Sequence, residues 1–170
     1  MRDGYIMDFN PCPWLKISKK ARWSIEKARK MGVTIRNGTL DELRRVHWEP
    51  SYLPFVKESN QHIFSAYVGE TLISSILVIR EGDHLIYKYA GTNPDYKEYQ
   101  GNSILLWWVW EVFKWDLNYL DLGGSRKPNI ESFKRQFATR TYNKVNPRTR
   151  WKRLKYRLHQ LEYLVREKLR

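Results

Sequence analysis

With a single cysteine, Cys12, in 170 residues, the chain has no internal disulfide, and its fold must hold through an apolar core. A reduced, cytoplasmic setting is the expectation that follows. Metal-ligand spacing is missing too. His47, His62, His84 and His159 stand far apart, so no structural metal is expected. No run approaches the roughly 18 apolar residues of a membrane-spanning helix. The longest, Ile104 to Trp110, soon meets Glu111. The opening MRDGYIMDFNPCPWL lacks a basic stretch followed by an apolar one, so no secretory signal is read there. Internal repeats and Gly/Ser-rich linkers are lacking, and so is the nucleotide-loop spacing G-x-x-x-x-G-K-[ST].

What is present describes a folded domain. Hydrophobic residues make up 42% of the chain, with eight Trp and eleven Tyr, which excludes disorder as the default state. At this length one domain with a real core is the simplest reading. The net charge of +13 is unevenly spread. Residues 1–46 carry about +6, residues 47–139 about −2 and residues 140–170 about +9. Basic ends around a near-neutral middle favour polyanionic partners: nucleic acid, anionic lipid or a phosphorylated substrate.

Periodicity supplies the elements. Ser18 to Met31 reads as a basic helix, with Ala21, Ile25 and Ala28 at three- and four-residue steps and Gly32 as its stop. VTIRNG reads as a strand. TLDELRRVHW reads as a helix capped by Thr39, with Glu42 completing a capping box. IFSAYV, ETLISSILVIR and DHLIYKYAG are β-rich runs joined by turns, hence an antiparallel meander. A largely apolar helix, about Ser103 to Leu117, leads to the short strand YLDLGG, most easily parallel to the strand before the helix. A further helix is expected from Asn129, with Ile130, Phe133 and Phe137 on one side, followed by a strand in TRTYNKV. Residues 146–170 read as a basic amphipathic helix striped by Trp151, Leu154, Leu158, Leu161 and Val165. The organisation is thus an N-terminal extension (1–17), an α/β (α+β) domain (18–145) and a C-terminal helix (146–170).

This order of elements resembles the GNAT N-acetyltransferase superfamily. Four stretches, SIEKARKMGVTI, YKYAGTNPDYKEYQGNSILLWWVWEVFKW, YLDLGGS and FKRQF, are similar to its Fem-type branch of aminoacyl-tRNA-dependent peptidyl transferases and acetyltransferase-like relatives. The resemblance implies a single GNAT-like domain whose mixed sheet holds the meander and a splayed parallel pair, His84 to Ala90 and Tyr119 to Leu122. An acyl carrier's arm would lie in that splay. Acetyl-CoA enzymes of the superfamily carry Gln/Arg-x-x-Gly-x-Gly/Ala ahead of the central helix, whose N–H groups cradle a pyrophosphate. The aligned residues here are Glu98, Gly101 and Ser103. That departure favours aminoacyl-tRNA as donor, with acetyl-CoA second and no tightly bound cofactor.

By the same resemblance Phe133 and Lys134 match the acyl-transfer centre. An amine attacking an ester or thioester builds charge on the carbonyl oxygen, and a positioned lysine stabilises it. Asp121 is the candidate base for the amine, or else a structural carboxylate at a strand end. Gly123 and Gly124 are either a tight turn needing positive φ or a place where substrate nears the backbone. Tyr87 and Tyr89, two apart on one strand, are expected on one face, lining the cleft or in the core. Asn102 and Ser103 are helix caps or substrate contacts, and Arg135 is a further binding candidate beside Lys134. No Ser-His-Asp or Cys-His set is found, so direct transfer without a covalent intermediate is expected.

The reading is therefore an N-acyltransferase moving an aminoacyl or acyl group onto an amine-bearing acceptor. Its rivals are a non-catalytic RNA-binding module on the same fold, and a membrane-surface or assembly protein acting through the terminal helix. That helix could pack on its own domain or on a second copy as a homodimer, contact tRNA backbone, or lie on an anionic membrane.

Overall fold

The computed structural model describes residues 2–47 and 60–144. The C-terminal helix expected at 146–170 lies outside them. Among the described residues seven strands and four α-helices follow in order: β1 (Arg2–Asp8), α1 (Lys19–Lys30), β2 (Thr34–Asn37), α2 (Leu40–Val46), β3 (Gln61–Val68), β4 (Thr71–Glu81), β5 (His84–Thr92), α3 (Gly101–Phe113), β6 (Tyr119–Gly123), α4 (Pro128–Phe137) and β7 (Arg140–Lys144). The strands form one mixed sheet in the order β2-β3-β4-β5-β6-β1-β7.

The local signals act as expected. Ser18 caps α1 by accepting from the Ala21 N–H at 3.0 Å. Ala21, Ile25 and Ala28 are fully buried and Gly32 follows at φ +72°. Thr39 and Glu42 make the reciprocal capping box of α2. β3, β4 and β5 form the antiparallel meander, and β6 runs parallel to β5. α3 buries residues all around its circumference. It ends at Phe113 rather than Leu117. The Asp116 N–H bonds back to Phe113, tightening the last turn, and Asn118 is then held by the backbone and carboxylate of Asp83.

Three expectations need correction. Residues 1–17 are not a separate extension, because β1 sits inside the sheet between β6 and β7. Tyr5, Ile6, Met7 and Phe9 are all buried, so this strand is covered on both faces. α4 is preceded by Lys127 rather than capped by Asn129, since Pro128 already supplies the preset φ of a first helical residue. Its buried positions are Lys134 and Phe137, while Ile130 is 36% exposed and Phe133 is half-buried. The helix therefore turns Lys134 toward the sheet together with Phe137, and leaves Ile130 at the surface.

Two bulges bend the centre of the sheet. On β5, Leu77 and Val78 pair with Tyr89 and Tyr87, so Lys88 is an extra residue. On β6, Tyr5 and Ile6 pair with Gly123 and Asp121, so Leu122 is extra. A bulge bends its strand and raises its twist. Here one lies in each of the two parallel strands.

Candidate active site

β5 and β6 pair at only three positions, His84–Tyr119, Leu85–Leu120 and Ile86–Asp121. Beyond Ile86, β5 stays with β4 as far as Thr92, while β6 stays with β1 as far as Gly123. The strands part where the two bulges begin, at the splay that the resemblance implies. Lys134 fills the opening. It is only 9% exposed, its Nζ donates to the Gly124 carbonyl at 3.3 Å, and it lies 5.7 Å above the Tyr87 ring. Burying an ammonium is costly unless polar groups receive it, and a carbonyl with an aromatic face does so in part.

The glycine turn is built from side chains as well. Gly123 takes φ +62°, the conformation that favours glycine. Its N–H donates to Asp121 Oδ1 at 2.6 Å. Asp121 Oδ2 accepts from the Tyr142 hydroxyl at 2.8 Å. Tyr142 reaches it from β7 by crossing β1 at Gly4, where any Cβ would meet its ring. Both oxygens of Asp121 are thus engaged in holding the turn. Burial, then the bond to Asp121, pushes the Tyr142 phenol above its ordinary range. Burial alone does the same for Tyr87.

The bulge at Lys88 separates Tyr87 from Tyr89, against the expectation that both share a face. Tyr87 packs on the main core beside Lys134. Tyr89 packs with Leu43 and Leu77 beneath α2, edge-on to His47 at 6.0 Å. Phe133, next to Lys134 in the chain, packs on Phe137 with the ring centroids 5.2 Å apart and the planes tilted by 51°. Arg135 points away, donating to the Tyr5 hydroxyl at 3.2 Å and to Glu131 at 3.1 Å, while Tyr5 also donates to Glu131 at 2.7 Å. That triad ties α4 to β1.

Asn102 and Ser103 are not caps. The chain enters α3 through Gln100 at φ +58°, so both lie in the first turn. Gly101 is pressed against the Ser74 hydroxyl, leaving no room for a Cβ. Ser103 is buried, and Asn102 Oδ1 is a buried acceptor to which no described group donates. Sequence reasoning missed Tyr142, Tyr5 and Gly4, whose roles depend on pairings across more than a hundred residues.

A separate cleft of about 210 Å³ lies between α1, β2 and α3, bounded by Arg29 and Glu111, which are paired at 2.9 Å. It lacks Lys134 and the turn. Among the described residues no cluster of His, Cys, Asp and Glu could hold a metal, and no helix is long and apolar enough to cross a membrane.

Comparison with known structures agrees with this architecture. FemX aligns over 89% of this chain and 64% of its own, at 8% identity and a TM-score of 0.64. The C-terminal domain of a protein described as a lysylphosphatidylglycerol synthetase, from Agrobacterium fabrum, aligns over 80% of this chain and 56% of its own, at 12% identity and a TM-score of 0.62. L-PGS from Bacillus licheniformis gives 80%, 56%, 13% and 0.56. The chain spans less than two thirds of each, and such identities speak for the fold alone. No curated protein sequence matches. The sequence model of the acetyltransferase (GNAT) domain matches residues 18–140, most of the chain, and the protein belongs to that family.

Proposed function

We propose that this GNAT domain is an N-acyltransferase that moves an aminoacyl group, or secondarily a simple acyl group, from its carrier onto an amine. The observation that carries the reading is the buried Lys134, held over Tyr87 by the Gly124 carbonyl where β5 and β6 part. In the reaction the amine nitrogen attacks the carbonyl carbon of the ester or thioester. Charge then collects on the carbonyl oxygen, and Lys134 donates to it. The C–O or C–S bond breaks as the amide forms. The amine gives up a proton, and the departing ribose oxygen or thiolate takes one up.

Tyr87 beneath Lys134, and Phe133 before it on α4, would border the acyl group. Gly123 and Gly124 let the substrate approach the backbone, and Asp121 with Tyr142 keeps their turn in place. Asn102 Oδ1 offers an acceptor to an N–H of the donor. Glu98, exposed ahead of α3, repels a pyrophosphate at that helix end, which supports an aminoacyl carrier over acyl-CoA. The names of the structural neighbours, FemX and lysylphosphatidylglycerol synthetase, agree with that preference.

The test is a donor comparison. Thermal shift and transfer to a panel of amines are measured with aminoacyl-tRNA, deacylated tRNA and acetyl-CoA, since a ligand of the folded state stabilises it. Transfer from aminoacyl-tRNA that disappears in Lys134→Ala supports the reading. Absence of transfer from either donor overturns it.

A further inference from the structure

The buried face of α1 is used up by the core, and its opposite face has no packing role. Ala21, Ile25 and Ala28 are fully buried. The other side presents Lys19, Lys20, Trp23, Lys27 and Lys30, against the single acid Glu26, and Lys16 is exposed just ahead of the helix. Lys20, Trp23, Lys27 and Lys30 follow one another at steps of three, four and three, so they form one stripe along about 15 Å of helix, with Lys16 exposed in the turn just before it. Trp23 lies at its centre, 54% exposed, with the Lys27 ammonium 5.2 Å from its ring. A large aromatic left in solvent among lysines does nothing for the fold.

We infer that this stripe binds an RNA strand with unpaired bases, its lysines on the phosphates and Trp23 stacked on a base. The charge selects a polyanion. The aromatic selects one with flat, stackable groups. A lipid surface fits less well, because an interfacial helix gives its apolar face to the bilayer and here that face is already in the core. The stripe is also joined to the acyl-transfer site. The Ser18 N–H at the start of α1 donates to the Gln136 carbonyl at 2.9 Å, in the last turn of α4, two residues beyond Lys134. A carrier strand lying along α1 therefore runs toward the Lys134 opening. This inference rests on the aminoacyl-carrier reading for its meaning, and it assigns that carrier a binding face.

The experiment measures binding of deacylated RNA to the full chain, with no acyl transfer involved. A single-stranded RNA oligonucleotide, the same sequence as a duplex, and phosphatidylglycerol vesicles are titrated across a salt series. Trp23→Ala is expected to weaken single-strand binding about 5- to 150-fold without changing the salt slope. Changing Lys16, Lys20, Lys27 and Lys30 together to Gln is expected to lower the slope of log K against log salt by about 2 to 3. Unaltered RNA binding in both variants overturns the inference, as does loss of vesicle binding with RNA binding intact. A chain that binds RNA through α1 yet transfers only from acetyl-CoA refutes the donor reading and leaves the surface standing. A chain whose stripe variant keeps its KM for aminoacyl-tRNA refutes the surface alone.

Discussion

Lys134 donates to the carbonyl of Gly124 across ten residues of chain, so the helix that follows the glycine turn is clasped back onto the turn itself. The bond holds the ammonium in the opening between the parallel strands and closes the turn over it. Removing the lysine should therefore affect chemistry and stability to different degrees. Lys134→Ala leaves a carbonyl without its donor, costing about 1–3 kcal/mol. Loss of the oxyanion donor should lower kcat by about 10²- to 10³-fold. Denaturant midpoints and single-turnover rates separate the two. Full activity in a folded Lys134→Ala would end its catalytic assignment.

The two tyrosines of β5 should behave unlike each other. Tyr87 lies under Lys134, whereas Tyr89 supports α2 on the other face. Tyr87→Ala is expected to lower kcat, because the ammonium loses the ring that positions it. Tyr89→Ala is expected to cost about 3 kcal/mol of stability with kcat retained in the folded fraction. Equal kinetic effects from both would show that the bulge at Lys88 does not divide them.

High pH should loosen the fold. Burial, with the bond to Asp121 in the case of Tyr142, holds the Tyr142 and Tyr87 phenols above the ordinary phenol range. The native state then holds these protons more tightly than the unfolded chain does. Stability from this source is complete below pH about 10 and declines as pH rises past it. Urea midpoints at pH about 8 and about 11 should reveal the fall. Tyr142→Phe should make it shallower, at the cost of the bond to Asp121. A pH-independent midpoint over this range would contradict the burial of both phenols.

Most of the local architecture was legible from the sequence. Thr39 announced a helix start through a side chain that reaches its own backbone, whereas the cap at Ser18 emerges only in the structure. The meander followed from short turns between β-rich runs. Two kinds of feature were hidden. β1 pairs with segments more than a hundred residues away, and Tyr5-Ile6-Met7 is too short an apolar run to announce a buried strand. The bulges at Lys88 and Leu122 are properties of pairing, so strict alternation put Tyr87 and Tyr89 on one face. The same limit hid Tyr142, which reaches Asp121 only because residue 4 is glycine. Lys134 was found by likeness to a family pattern. Its burial was not, since the apolar spacing of Ile130, Phe133 and Phe137 pointed to the neighbouring face.

Deleting residues 1–17 should prevent folding rather than trim an appendage. The cut removes Tyr5, Ile6, Met7, Phe9 and Ile17 from the core and exposes the paired edges of β6 and β7. Each large buried side chain is worth about 1.5–3 kcal/mol, and together they are comparable to the whole stability of a typical domain. Circular dichroism and thermal melts of the shortened chain report the outcome. A cooperative melt near that of the full chain would mean that β1 contributes little to the core.

Asn102 gives the sharpest division between structural and binding roles. Its buried Oδ1 receives no donor from the described residues, so the folded protein bears the desolvation of that oxygen without a matching bond. Asparagine is also a poorer helix former than alanine, and Asn102 lies in the first turn of α3. Asn102→Ala is therefore expected to leave stability unchanged or raise it by about 1 kcal/mol. If the oxygen awaits an N–H of the donor, the same change should raise the KM for that donor and shrink its thermal shift. A variant that loses stability while keeping its KM would show that Asn102 serves the fold, and the donor-binding role would fall with it.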